Sequence, residues 1–219
     1  MNTSAQFEEG GFYHVFNRSN NREPLFKKEA NYSYFLKRYR DYLGEFVDTY
    51  AYALIKNHFH FCICVKNIKE INDFLSNLKE YELSTAMKKY LEGQNKEILV
   101  HDLISNEFRR LFISYSQAIN KQENRSGNLF NRPFKRALID AEHKFAYVLY
   151  YIHHNARKHG IVKSFIDFPY TSYHEIVSEQ SNLIDYKYIF QWFGSKEEFL
   201  EFHNELHYES KFKDFVIED

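Results

Sequence analysis

The stretch that most restricts the fold is residues 47–66, VDTYAYALIKNHFHFCICVK. Two segments rich in aromatic and β-branched residues flank the dipeptide Lys56-Asn57. A two-residue connection joins only antiparallel neighbours, so the pattern predicts a β-hairpin. Along its second strand His58 and His60 share a face, because side chains alternate, and their Cβ atoms lie about 6–7 Å apart. That face continues through Cys62 and Cys64, while Phe59, Phe61, Ile63 and Val65 point the other way. Two imidazoles so placed can converge on one ion, or they can simply fill a half-buried face with rings.

The flanking sequence supplies partners for the hairpin. Residues 11–18, GFYHVFNR, have the content of a strand. From Lys28 onward Tyr32, Phe35, Leu36, Tyr39 and Leu43 recur at helical spacing. Residues 67–92 read as helical, and His101–Lys121 as a second amphipathic helix. Residues 133–140 are a short strand candidate, and Glu142–Lys158 are helical in period, with Gly160 where a terminating glycine is expected. The order β-α-β-β-α-β-α is that of a ferredoxin-like α+β fold, an antiparallel sheet with helices on one face. The 219 residues suit one main core. The expected division is a domain over 1–170 and an acidic, aromatic, helical C-terminal extension over 171–219.

Net charge is only −1, but its distribution is uneven. Arg109–Gly160 holds ten Lys/Arg against three acids, whereas His174–Asp219 holds eleven acids against four lysines. Such asymmetry suggests an anionic partner for the basic middle, or two solvated faces of opposite sign. Cys62 and Cys64, two apart on one strand, are poorly placed for a disulfide and suit a reducing cytoplasm. No apolar run long enough to span a membrane and no secretory signal is visible. The expectation is therefore a cytoplasmic protein without a membrane partner.

On the helix over 142–158, Tyr151 and Asn155 stand one turn apart on one face. If that face rests on the histidine strand, Asn155 offers a hard amide oxygen and Tyr151 a phenol. Periodicity does not choose among Tyr147, Tyr150 and Tyr151, since Tyr147 lies on nearly the same face. The ordered set NHFHF, LFNRPFKRALID, YYIHHNARKHGIV and DFPYTSYHEI resembles the single-tyrosine HUH transposases, in their REP-associated, IS200-like branch, over roughly residues 10–175. The resemblance implies that His58 and His60, around Phe59, bind a divalent metal ion, Mg²⁺ or Mn²⁺, with Asn155 as third ligand. It implies that Tyr151 is the nucleophile. One departure is visible: the family commonly reads asparagine-proline-valine where this chain has Asn155-Ala156-Arg157.

The implied activity is cleavage and rejoining of single-stranded DNA through a 5′-phosphotyrosine intermediate, with hairpin-bearing DNA as partner and a homodimer left open. Arg125, Arg132, Lys135 and Arg136 flank the loop and strand before the tyrosine helix and are candidates to hold phosphates, as are Arg18 and Arg22 after the first strand. Two other readings fit the same residues. One is a nucleic-acid-binding module without catalysis; the other is a metal-dependent phosphodiesterase that uses water.

Overall fold

The computed structural model of the chain describes residues 3–205. Four strands, β1 (Phe12–Arg18), β2 (Val47–Ile55), β3 (His58–Val65) and β4 (Lys135–Leu138), form an antiparallel sheet in the order β2-β3-β1-β4. This is the ferredoxin-like arrangement, and Lys56-Asn57 is the hairpin turn the sequence predicts. Backbone bonds hold that turn in place, from Leu25 N–H to Lys56 O (2.7 Å) and from Ser19 N–H to Asn57 O (2.9 Å).

Alternation along β3 decides what each face buries. Phe59 and Phe61 point toward α1 (Glu29–Leu43) and α4 (Lys96–Gln122). Phe61 stacks on Tyr39 with ring centres 4.1 Å apart, and Phe59 meets Phe35 at 5.3 Å and Phe112 at 5.7 Å. The opposite face carries His60, Cys62 and Cys64, and α5 (Glu142–Lys158) lies across it. There Phe145 meets Phe12 and Tyr50 edge-on, each at 5.4 Å. The α+β antiparallel class is as expected, but helices cover both faces rather than one. The reason is compositional: β2 and β3 are apolar at nearly every position, and such strands require cover on both sides.

The stretch 67–92 is not one helix. It divides into α2 (Ile68–Ser76) and α3 (Thr85–Glu92), the latter started by Ser84, whose Oγ accepts from Met87 N–H (3.2 Å). Ser84 also donates to the buried Glu107 of α4 (3.2 Å), so the break returns the chain to the core. The extension supplies α6 (Tyr173–Ser178), α7 (Tyr186–Phe193) and α8 (Lys196–Asn204). It is fastened to the outer strand: Leu54 N–H donates to Tyr170 O, and Tyr52 N–H to Ser172 Oγ, both at 2.9 Å. These bonds occupy an edge that would otherwise be open. Glu209, Asp214, Glu218 and Asp219 of the acidic end lie outside the described residues. No described helix is long and apolar enough to cross a membrane. Cys62 and Cys64 are buried free thiols, and burial pushes Cys64 up to about 12.

Candidate active site

Where α5 crosses β3, Asn155 Oδ1 lies 2.9 Å from His58 Nε2, and the Tyr151 ring stands edge-on to His60 with centres 5.5 Å apart. Asn155 is fully buried and Tyr151 is 5 % exposed. The helix turn that links them brings both to the histidine strand. Tyr147 and Tyr150 do not reach it: Tyr150 stacks on His154 at 3.8 Å, and Tyr147 meets Phe202 of α8 at 5.7 Å. Ala156, where a proline is common in the resembling family, lets α5 run on to Lys158. Two turns beyond Tyr151, the Lys158 ammonium stands 5.1 Å from the centre of its ring. Gly160 follows in left-handed backbone (φ 66°), as its place in the sequence suggested.

Proton accounting shows what this cluster lacks. Both ring nitrogens of His58 face amide oxygens at 2.9 Å, Nδ1 that of Asn57 and Nε2 that of Asn155. A neutral imidazole has one N–H, so it satisfies one of these oxygens and turns a lone pair on the other. A turn of either amide, or a cation at that point, resolves the conflict. His60 Nδ1 is 2.9 Å from His14 Nε2 of β1, while His60 Nε2 is buried with no hydrogen-bond partner among the described residues. Burial first, then His14, His58, His159 and Lys158, holds the His60 imidazole well below its ordinary range. It is neutral at neutral pH.

These residues fit a hard divalent ion. Ligands about 2.1 Å from an ion in octahedral geometry lie about 3 Å from one another, the spacing of His58 Nε2 and Asn155 Oδ1. His60, whose Nε2 has no partner among the described residues, lines the same groove as His58. Among the described residues no three His, Cys, Asp or Glu side chains group as ligands. The donors here are two imidazoles and an amide.

No family model matches this chain, and no curated protein matches it. Among solved structures it superimposes on a REP-associated tyrosine transposase bound to a REP hairpin, with TM-score 0.53 and 16% identity over 85% of this chain and 88% of that one. The chain has that transposase fold.

The site opens into a groove of about 950 Å³. Arg18, Arg22, Lys56, Arg132 and Lys135 line it, and among the described residues no carboxylate does. Arg18 lies opposite His58 in the β1–β3 register. Four of the six sequence-nominated cations thus surround the histidines, and two do not. Arg136, one residue on from Lys135 in β4, points to the other face. It donates from Nε to Ala5 O (2.5 Å) and packs over Phe7 and Phe134, each at 5.2 Å. Arg125 pairs with Glu23 (2.9 Å) and bonds Asn120 (2.8 Å), tying its loop to the body. Sequence reasoning missed His14, Lys56, Lys158 and His159, whose ring centre is 4.8 Å from that of His58. His14 was within reach: its parity in β1, once β1 is paired to β3, puts it beside His60.

Proposed function

We propose that this chain is a metal-dependent DNA strand transferase that cleaves and rejoins single-stranded DNA bearing a hairpin. The observation that carries the reading is the meeting of Tyr151 and Asn155 with His58 and His60, two histidines that line a groove together with five cations and, among the described residues, no carboxylate. The hairpin comes from the transposase of like fold, which is bound to one.

His58, His60 and Asn155 would hold Mg²⁺ or Mn²⁺, which polarises a phosphodiester oxygen when bound. Arg18, Arg132 and Lys135 hold neighbouring phosphates and place the scissile bond above Tyr151. The Tyr151 phenol oxygen attacks phosphorus and loses its proton, the P–O3′ bond breaks, and the departing O3′ takes up a proton. Lys158 puts a positive charge beside the ring while negative charge is carried by the phenol oxygen. The product is a 5′-phosphotyrosine with a free 3′-OH. Because the ester retains the phosphodiester bond, an incoming 3′-OH reverses the step and joins a new strand. Tyrosine suits this task where water does not, since hydrolysis would end the reaction.

The test is incubation of the full chain with hairpin-bearing single strands and Mn²⁺, followed by denaturing electrophoresis and peptide mapping. The expected result is a covalent adduct on the peptide that carries Tyr151, abolished by chelator. Cleavage that leaves a free 5′-phosphate and no adduct would assign the chain to the water-using phosphodiesterases.

A further inference from the structure

A second groove, of about 750 Å³, runs between α4 and residues 127–136. It meets the first at Asn131, Arg132 and Pro133, which line both. Along its α4 wall Ser105, Arg109, Ser116, Gln117 and Asn120 fall on one stripe. The fifteen helical steps from Ser105 to Asn120 give a rail about 22 Å long. That is about six phosphates of one B-form strand, at about 3.4 Å each.

This wall is supplied with hydrogen-bonding groups that the protein does not use. Arg109, Ser116 and Gln117 bond to no other side chain among the described residues. Arg132, at the junction, is likewise without an ion pair there. The one acid in the lining, Asp102, is already paired with Lys89 (3.1 Å). The rings in the floor are occupied by one another, Phe112 with Phe130 at 4.9 Å and with Phe134 at 5.6 Å. Such a floor offers little face for stacking an unpaired base. What remains is a row of donors beside a positive field.

We infer that the α4 groove is a second nucleic-acid track, which takes the sugar-phosphate backbone of the strand as it leaves the catalytic groove over Arg132. The inference rests on the reading of the first groove as a DNA site and adds where the rest of the substrate lies. Its ligand chemistry is a phosphodiester chain, supplied either by an unpaired extension or by one strand of a hairpin stem.

The test measures equilibrium binding, over a range of salt, of three DNAs that share one unpaired core: the short core, the core with an unpaired extension, and the core with a hairpin. The wild-type chain is compared with Arg109→Gln/Gln117→Ala, two surface changes whose fold is checked by thermal melting. The short core should bind both proteins equally. For the variant, the slope of log K against log salt should fall by about 0.9 per lost contact with a paired stem, or about 0.7 with an unpaired extension. The arm that loses affinity identifies the source. Equal weakening for all three DNAs, or for none, would overturn the second track. Adduct formation by the wild-type chain on the short core is scored separately, so failure of the chemistry is not mistaken for failure of the groove.

Discussion

Helix α5 carries a histidine cluster on each of two faces, and they differ in how their protons balance. Toward α8, His203 Nδ1–H donates to Phe199 O, His153 Nδ1–H donates to His203 Nε2, and the Ser172 hydroxyl donates to His153 Nε2, each at 2.9 Å. His154 adds a bond to His203 O (3.1 Å). Every ring nitrogen of His153 and His203 has a partner, and both residues are fully buried. Toward β3, His58 faces one oxygen too many and His60 Nε2 faces none. Burial and histidine count do not separate a site from a strut; proton balance does.

The comparison breaks first if the nucleophile lies elsewhere on α5. Tyr151→Phe should reduce adduct formation by a factor on the order of 10⁵, as for loss of other covalent nucleophiles, with DNA affinity unchanged. Tyr147→Phe and Tyr150→Phe, on the α8 side, should form adduct at the normal rate. An active Tyr151→Phe beside an inactive Tyr150→Phe would exchange the roles of the two faces.

A crossed pair of alanine substitutions sharpens the contrast. His153→Ala should cost about 3 kcal/mol, because His203 Nε2 and Ser172 lose a buried partner, and should lower the melting temperature by roughly 6–12 °C. Cleavage per folded molecule should be retained. His58→Ala should melt within about 2 °C of the parent, since it removes an unbalanced contact, and should not cleave. Calorimetry and a cleavage assay on the same two samples decide the matter.

His14 lies between these extremes: through its contact with His60 it would orient a ligand of the proposed ion without being one. His14→Ala should weaken Mn²⁺ binding by about 10–100-fold, with His14→Asn recovering part of it, both read by direct titration of the ion.

The smallest effect is that of acid. Burial, then His203, His154 and His174, holds His153 well below its ordinary range, so the unfolded chain binds the proton first. Its contribution to stability is therefore complete above about pH 6.5 and falls by about 1.4 kcal/mol for each pH unit below. Denaturant titrations from pH 7 to 5 should show a slope that is shallower in His153→Ala. Equal slopes would mean that the α8 cluster accepts a proton within the fold.

Local patterns made much of this molecule legible. The hairpin, α1 and α5 follow from periodicity and a two-residue turn, signals contained within one element. The split of α2 from α3 was hidden because 77–84 contains good helix formers and no Gly or Pro, and what divides it is a Ser84 cap plus a bond to Glu107, 23 residues on. The same limit governs the site. His58 and His60 announce themselves by spacing, whereas His14 enters only through strand pairing, 46 residues away. Lys135 and Arg136 are alike in sequence, and only the strand's alternation sends Lys135 into the histidine groove and Arg136 to Ala5 and Phe7. The second face of the sheet needed α5 as cover because β2 and β3 are apolar at most positions, a feature readable in the sequence but outweighed by the simpler one-faced arrangement.

That no described carboxylate lines the groove bears on the order in which the proposed reaction is assembled. Two imidazoles and an amide bring no negative charge to meet a doubly charged ion, and five cations around them oppose its arrival. In the proposed complex the phosphodiester supplies the missing charge. Ion and DNA must then favour one another's binding by an equal factor, as linkage requires, so that the free protein retains its ion weakly and the complex retains it firmly. A strand-cutting centre built in this way is armed by its own substrate and stands idle without it.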